Sequence, residues 1–197
     1  MNNTFSFFWK KKDGVELSNF YPSLVKIKDD VVIREYNSGE SAFHGMKYIE
    51  ISKQIHCINR KTELFNYGMK FEVNGEYGKL SGADVKKKGG KKGLLLKENE
   101  LNVWKDRGEE IQRKICNYKY QHLKEVRECL EKNKDKILIH PIMRINNDKL
   151  KFCVWEGRGV IENGEFKVLG KNLLGNIWMQ IRDENIIKSH LLYEIVT

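Results

Sequence analysis

The sequences LSNFYP at residues 17–22 and SGESAFHGMKY at residues 38–48 open and close the stretch that decides the fold. The first is typical of a loop, because Pro22 disfavours the helical region for Tyr21 before it. The second predicts a helix over about residues 41–55, since apolar residues recur in it at near-helical spacing. A loop with two aromatic rings therefore precedes a short strand pair and a helix.

The start of this helix carries a carboxylate. Ser38 is a suitable N-cap residue, and Glu40 falls in the first helical turn. A glutamate there lies at the positive end of the helix dipole, which favours its ionised form. Position alone leaves two interpretations open: an acid that stabilises the helix, or a functional carboxylate.

Composition indicates a globular protein with an affinity for phosphates. The chain has 197 residues, of which 40% are hydrophobic and 32% charged, and this suits one domain with a substantial core. The net charge is +9, from 36 Lys+Arg and 27 Asp+Glu. Such a charge predicts attraction to a nucleic acid or a nucleotide-like ligand, although a general bias toward lysine explains it equally well.

The cysteines and the apolar runs predict a cytoplasmic protein. The four cysteines lack any Cys-x-x-Cys spacing, so neither a zinc site nor a disulfide framework is expected, and a reducing compartment is indicated. No apolar run approaches the roughly 18 residues of a membrane span, and residues 1–9 do not resemble a signal peptide. We expect no bound metal, no cofactor and no association with a membrane.

The first half of the chain predicts two strand regions and a flexible segment. Residues 4–9 are rich in strand-forming residues, and residues 24–36 predict a β-hairpin around an Asp-Asp turn. Residues 57–70 show no clear period. Residues 68–93 contain seven glycines and the run KKKGGKK, which predicts a basic, mobile surface insertion at the rim of a site, with only a weak indication of phosphate binding.

The second half predicts helices and a strand. Residues 106–132 have a clear helical period, and Asp106 with Glu109 resembles a capping box at its start. Residues 137–141 predict a short buried segment, in which His140 is a structural histidine. Residues 152–159 predict a strand that runs into a glycine-rich turn, and residues 170–182 predict a loop followed by a helix.

Both ends of the chain resemble one family. The order Leu-Ser-Asn-Phe, strand pair and Ser-x-Glu, with a lysine seven residues after the glutamate, is similar to the signature of the NADAR (YbiA-like) N-glycosidases. The WEG turn at residues 155–157 and the GKNLLG segment at residues 170–175, followed by Met-x-x-Arg, supply the second match. The resemblance covers most of residues 5–55 and 104–182.

The resemblance implies a fold class. We expect one α+β domain over residues 1–197, YbiA-like and mainly helical, with the glycine- and lysine-rich insertion at about residues 68–93. The N-terminal strands and the strand around Trp155 are expected to form a small antiparallel sheet, packed against the helices.

The resemblance also implies an activity. Family members hydrolyse an N-glycosidic bond between a ribose and a base or amine, either in ADP-ribosylated substrates such as ADP-ribosyl-guanine in nucleic acid or in phosphorylated intermediates of riboflavin synthesis. The reaction builds positive charge on the sugar, which an ionised carboxylate can stabilise. The implied partners are an ADP-ribose-containing or other phosphorylated nucleotide-like substrate and a nucleic acid.

The resemblance assigns roles to particular residues, and Glu40 is the expected catalytic carboxylate. The residues expected to converge with it on one pocket would hold ribose hydroxyls, stack on a base or meet phosphates. They are Ser18, Asn19, Phe20, Tyr21, Lys47, Trp155, Gly157 and Asn172.

The chain departs from the family at one place. Relatives carry an aspartate about three residues before the tryptophan and a glycine directly after it, where this chain has Phe152 and Glu156. If that aspartate is a second catalytic acid, this chain either lacks it or replaces it with Glu156. A module that binds ADP-ribose or nucleic acid without turnover is therefore the alternative prediction.

Overall fold

The chain folds into helices and short strands. The structure, a computed structural model, describes residues 3–8, 10–142 and 144–196, without the side chains of residues 188–196. The elements are β1 (Thr4–Ser6), a 3₁₀ helix (Val15–Leu17), β2 (Pro22–Lys28), β3 (Ile33–Ser38), α1 (Gly39–Lys53), α2 (Ile58–Met69), α3 (Gly82–Gly89), α4 (Glu98–His122), α5 (Lys124–Lys132), β4 (Ile137–Ile139), α6 (Asn147–Leu150), β5 (Arg158–Glu162), β6 (Glu165–Leu169) and α7 (Leu173–Val196). The predicted α+β class is confirmed.

The elements fall into two compact units. The central unit comprises residues 19–119, and the terminal unit comprises residues 1–18 and 120–197. Helix α4 begins in the central unit and ends in the terminal unit.

The central unit begins with the predicted hairpin. Strands β2 and β3 are antiparallel, with Val25 opposite Tyr36 and Ile27 opposite Arg34. The side chains of Val25, Ile27 and Tyr36 are buried, because alternate residues of each strand point to the same face. The hairpin runs directly into α1, which fixes where that helix starts.

Helix α1 is the centre of the hydrophobic core in the central unit. It packs against α2 and α3 and against the hairpin. Thirteen of its fifteen residues are buried, including polar ones, so the helix is covered on almost all sides and has no narrow apolar stripe. The buried core residues contributed by the other elements include Leu64, Phe71, Tyr77, Val85, Ile111 and Ile115.

Two helices of the central unit lie where no helix was predicted: residues 57–70 had no assignment, and the loop predicted at the lysine run is wrong. Residues 58–69, which show no clear period, form α2, whose buried residues are only Leu64 and Gly68. The lysine run was predicted to be a mobile loop, but residues 82–89 form α3, which begins at the N-cap Ser81 and buries Val85 and Gly89. A helix with so few buried positions gives a weak periodic signal, and packing against neighbours decides its structure.

The boundaries of the long helix also differ from the prediction. Helix α4 starts at Glu98, so Asp106 lies inside it and does not cap it. The predicted helix over residues 106–132 is interrupted at Leu123, which has an extended backbone and separates α4 from α5. In the terminal unit, the Arg127 side chain donates hydrogen bonds to the carbonyl oxygens of Tyr120 and Gln121 at 2.8 and 2.9 Å, which satisfies the end of α4.

The terminal unit contains two separate strand pairs. Strands β1 and β4 are parallel, with Phe5 opposite Leu138, and β5 and β6 form an antiparallel hairpin. The prediction that the N-terminal strands and the Trp155 region form one antiparallel sheet is therefore wrong in the described part of the chain, where three two-stranded sheets occur. The first strand, predicted over residues 4–9, ends at Ser6 in the structure. Trp9, the last residue of the prediction, lies outside the described residues.

Residues 152–157 form a loop and not the predicted strand. The carbonyl oxygens of Cys153, Val154 and Glu156 accept hydrogen bonds from the backbone N–H groups of Lys171, Leu173 and Asn172 at 2.9 to 3.0 Å. The loop thus holds the beginning of α7, where the helix was predicted. Further along α7, the buried Trp178 indole donates to the carbonyl oxygen of Leu17 at 3.0 Å.

Candidate functional site

The start of α1 forms a polar cluster in the central unit. Ser38 is the N-cap as predicted, and its hydroxyl oxygen accepts a hydrogen bond from the Ser41 N–H at 3.1 Å. Glu40 lies in the first turn, and only 10% of its side chain is exposed. The Glu40 carboxylate therefore lies at the positive end of the helix dipole and keeps only a small exposed surface.

Asn19 lies directly against this helix start. Its carbonyl oxygen accepts a hydrogen bond from the Glu40 N–H at 2.9 Å. A β-carbon at Gly39 would lie 2.8 Å from the Asn19 side-chain oxygen, so a larger residue there would push Asn19 away. Of the predicted site residues, the structure therefore places Asn19 and Glu40 side by side.

Gln112 of α4 fixes the Asn19 side chain. The two carboxamides form a reciprocal pair, with N–H···O distances of 2.8 and 3.0 Å. Gln112 is 1% exposed and also approaches the Cys116 sulfur at 3.3 Å. Sequence reasoning missed Gln112, although a polar residue on the buried stripe of a helix is a usable signal, because burial without a partner is costly.

His44 is the direct partner of Glu40. Its Nε2 atom lies 3.1 Å from the Glu40 Oε1 atom, one helical turn along α1, and both side chains are buried. Burial lowers the pKa of His44, whereas the hydrogen bond to Glu40 opposes that shift. His44 was not predicted as a site residue, since its surroundings depend on the packing of Gly89 from α3.

Lys47 is buried near the same place. Its ammonium group donates a hydrogen bond to the carbonyl oxygen of Gly89 at the end of α3. Burial lowers the pKa of Lys47 to about 8, against the opposing effect of Glu40. In the structure this lysine holds α3 in place, and the predicted contact with a phosphate stays a prediction.

Lysines lie beside the two aromatic residues of the predicted site loop. The Lys86 Nζ atom of α3 is 5.8 Å from the centroid of the Phe20 ring, which also packs on Gly82. The Lys119 Nζ atom is 5.8 Å from the centroid of the Tyr21 ring, and Lys119 is fully buried. Both rings are only partly buried, which leaves surface for stacking.

The remaining predicted residues belong to the terminal unit. Asn172 is 2% exposed, has a left-handed backbone with φ 49°, and precedes α7. Its Nδ2 group donates to the carbonyl oxygen of Leu138 at 2.8 Å, and its Oδ1 atom accepts from the His140 N–H at 3.0 Å. The side chain therefore joins β4 to the start of α7, which is a structural role. Its role in substrate binding stays a prediction.

Trp155, Glu156 and Gly157 surround Asn172. The Glu156 carbonyl oxygen accepts from the Asn172 N–H at 3.0 Å, and the Trp155 carbonyl oxygen accepts from the Leu174 N–H at 3.4 Å. A β-carbon at Gly157 would lie 2.8 Å from the Asn172 β-carbon, so the glycine permits close packing there. Phe152, where the family resemblance predicts aspartate, is 85% exposed.

The predicted site residues thus form two groups. Asn19, Phe20, Tyr21, Glu40 and Lys47 belong to the central unit, whereas the terminal unit contains the others, which are Ser18, Trp155, Glu156, Gly157 and Asn172. In the central unit Asn19 contacts Glu40, and in the terminal unit Trp155, Glu156 and Gly157 surround Asn172. That the two groups make one pocket stays a prediction.

The described residues contain neither a metal-binding cluster nor a helix that could cross a membrane. Within residues 3–8, 10–142 and 144–196, no three His, Cys, Asp or Glu side chains are arranged so as to hold a metal ion. In the same ranges, every helix lacks either the length or the apolar character that a bilayer-crossing helix requires.

Comparisons with known proteins support the fold. No protein-family model matches the sequence, and no curated protein matches it significantly. Among solved structures, the NMR structure of the E. coli protein YbiA is similar, with a TM-score of 0.57 and 18% sequence identity over 96% of this chain and 89% of that chain. At this identity the match concerns the fold, and the chain therefore has a YbiA-like fold.

Proposed function

We propose that the protein is an N-glycosidase of the NADAR type that releases ADP-ribose from ADP-ribosylated substrates, such as ADP-ribosyl-guanine in nucleic acid. The observation that carries the proposal is the placement of Glu40. Its carboxylate is buried at the N-terminus of α1 and contacts His44, and its N–H contacts the Asn19 carbonyl group. The YbiA-like fold supports the proposal at the level of architecture.

The proposed reaction uses the negative charge of Glu40. The bond between the ribose C1′ atom and the base nitrogen breaks, and its electron pair leaves with the base. The positive charge that develops on the sugar is stabilised by the carboxylate, which costs no reorganisation because its position is fixed. A water oxygen then bonds to C1′ and gives a proton to Glu40, while Glu156 is our candidate for the acid that protonates the leaving base.

Positive charge near Glu40 suits a diphosphate. Lys86 lies by the Phe20 ring, Lys47 is buried on the next turns of α1, and the whole chain carries a net charge of +9. An aromatic ring beside a lysine can stack on a base while the ammonium group meets a phosphate. These features fit a nucleotide-like ligand better than a neutral sugar.

A non-catalytic binding module is the second candidate, and Phe152 favours it. An exposed phenylalanine cannot transfer a proton, so the position where the resemblance implies an aspartate has no acid. In such a module the residues around Glu40 would still bind ADP-ribose. The two candidates differ in turnover and not in binding.

A substrate panel with the wild-type protein tests the proposal. The panel contains an oligonucleotide with ADP-ribosylated guanine, the corresponding mononucleoside and a phosphorylated riboflavin intermediate, and chromatography follows the released products. We expect release of ADP-ribose from the first two. Binding of the oligonucleotide without release would favour the binding module, and turnover of only the riboflavin intermediate would replace the proposed substrate.

A further inference from the structure

The pair formed by Glu40 and His44 has an asymmetry that assigns a role to the histidine. The Nε2 atom faces the Glu40 carboxylate at 3.1 Å. The other ring nitrogen, Nδ1, is buried and has no hydrogen-bond partner among the described residues. The two nitrogens of the ring therefore have opposite environments, one with a strong acceptor and one without any polar contact.

Helix α3 packs on the ring around its Cγ atom, to which both Nδ1 and Cδ2 are bonded. A β-carbon at Gly89 would lie 2.2 Å from the Nδ1 atom and 2.1 Å from the Cγ atom of His44, so the glycine backbone packs directly on the imidazole. Lys47 and Tyr48 both donate hydrogen bonds to the Gly89 carbonyl oxygen, which keeps this backbone in place. Phe43 and Phe71 contact the ring on other sides.

This packing selects a single protonation state. A proton on Nδ1 would be a buried donor without an acceptor, which is costly, whereas an unprotonated Nδ1 loses only a weak acceptor interaction. A proton on Nε2 is donated to the Glu40 carboxylate, which is a charge-assisted hydrogen bond. The ring is therefore neutral, with its proton on Nε2.

The charges near the ring act in both directions. Glu40 on α1 favours a protonated imidazole, whereas Lys47 on α1 and Lys86 on α3 disfavour it, and burial disfavours it most. A neutral ring adds no positive charge beside Glu40, and its hydrogen bond gives the carboxylate a fixed orientation.

We propose that His44 is the positioning residue of Glu40: a neutral imidazole, held as the Nε2–H tautomer by the carboxylate at Nε2 and by the lack of a partner at the buried Nδ1, that orients the carboxylate toward the sugar. The role in catalysis rests on the proposed function, but the tautomer does not. An imidazole that served as a general acid would need a proton on both nitrogens, and a buried Nδ1 without an acceptor opposes that state.

Nitrogen NMR of the histidines in the uniformly labelled protein tests the tautomer directly. Two-bond ¹H–¹⁵N spectra distinguish the Nε2–H, Nδ1–H and doubly protonated forms, and the His44 signals are identified by their absence in His44→Gln. We expect the Nε2–H pattern at pH about 6.5, where an ordinary histidine is half protonated. An Nδ1–H pattern or an imidazolium pattern at that pH would overturn the proposal.

Kinetics of two variants test the positioning role. His44→Leu keeps the volume but has no N–H donor, whereas His44→Gln retains one that can reach Glu40. We expect kcat to fall up to about 100-fold in the leucine variant with KM changed less than about threefold, and the glutamine variant to recover most of the rate. His56→Gln, at an exposed position after α1, is the matched control.

The two measurements separate the possible failures. A folded His44→Leu variant with the wild-type kcat would overturn the positioning role, even if the tautomer is as expected. A wild-type protein that hydrolyses nothing would overturn the proposed function, and the NMR spectra would still decide whether His44 is the neutral Nε2–H donor. Should the leucine variant fail to fold, the glutamine variant and the wild-type spectra suffice to decide the tautomer.

Discussion

Lys47 illustrates how burial changes the chemistry of a single side chain. Lys47 is 8% exposed, and its ammonium group contacts a carbonyl oxygen and lies 4.6 Å from the centroid of the Tyr48 ring. Removing this charge from water costs free energy, which is why the pKa falls to about 8 from 10.5. A pKa below that of the unfolded chain makes stability depend on pH.

The direction of this dependence is fixed by proton binding. Between pH 8 and 10.5 the unfolded chain binds a proton at Lys47 that the folded chain has released, so stability rises with pH in that window. Lys47→Met removes the effect. The wild-type free energy of unfolding, relative to the variant, is expected to increase by about 2 kcal/mol between pH 7.5 and 9.5 in urea denaturation.

A control separates this effect from the loss of one positive charge. Lys61→Met removes a lysine from an exposed position of α2. If the difference in the free energy of unfolding between wild type and Lys47→Met is the same at pH 7.5 and 9.5, Lys47 does not titrate in this range. Another interaction would then offset the cost of burying its charge.

At the scale of residues, the sequence predicted local features and missed tertiary ones. Ser38 and Glu40 were predictable because a cap and a first-turn acid depend only on their neighbours in sequence. Gln112 was not predictable, because its partner Asn19 is 93 residues away in sequence. His44 was not predictable, because its environment depends on the packing of Gly89.

At the scale of elements, a buried ion network holds the hairpin to α1 and to the end of α2. Arg34 of β3 donates to Asp29 in the hairpin turn at 2.9 Å and to Glu72 at 2.7 Å. Lys53 at the end of α1 donates to Asp29 at 2.5 Å and to Glu50 at 2.7 Å. These contacts keep the hairpin that leads into α1 in a fixed place.

Arg34→Leu tests the importance of this network. Arg34 is 8% exposed, so its removal leaves Glu72 and part of Asp29 without their buried partner. We expect the free energy of unfolding to fall by about 3 kcal/mol in urea denaturation. The matched control is Lys26→Leu, which breaks the exposed Lys26–Glu35 pair of the same hairpin and should cost under about 1 kcal/mol. Equal costs for the two variants would refute a special role of the network.

Prediction of the elements succeeded where the local signal was strong. The hairpin, α1 and the start of α7 were predicted, because strand formers, a serine cap and an apolar period agree there. Helix α3 was missed, since glycines and lysines at residues 86–93 indicate a loop. The strand predicted near Trp155 was wrong, because its backbone bonds to the start of α7 instead of to a strand.

At the scale of the whole molecule, the charge of +9 predicts a salt-dependent affinity for nucleic acid. The lysines of α3 and the following turn are the test set, because Lys86, Lys87 and Lys88 are exposed on the helix and Lys91 and Lys92 follow it. Lys87 is already paired with Asp84 at 2.7 Å, so its contribution is reduced.

Changing these five lysines to glutamine is expected to flatten the salt dependence. The slope of log K against log salt for single-stranded DNA should decrease by about 2 to 3 units, since each phosphate contact contributes about 0.7. Fluorescence anisotropy at several salt concentrations measures it. A variant with the wild-type slope would show that this basic segment does not contact the phosphates.

The fold class was predictable only because motifs at both ends of the chain resemble one family. Composition and periodicity alone predict a globular mixture of helices and strands. The likeness to YbiA is likewise one of shape, with 18% identity, so the chemistry must be established on this chain's own residues. The departure at Phe152 makes that requirement stronger.

The most direct test of the central claim is the rate of ADP-ribose release by Glu40→Gln under single-turnover conditions. The substitution keeps the size and the hydrogen-bonding reach of the side chain but removes its negative charge. We predict a rate roughly two to four orders of magnitude below that of the wild type, with affinity for the ADP-ribosylated oligonucleotide unchanged or increased. A variant that releases ADP-ribose as fast as the wild type would contradict the claim and leave Glu40 as an acid that only stabilises the start of α1.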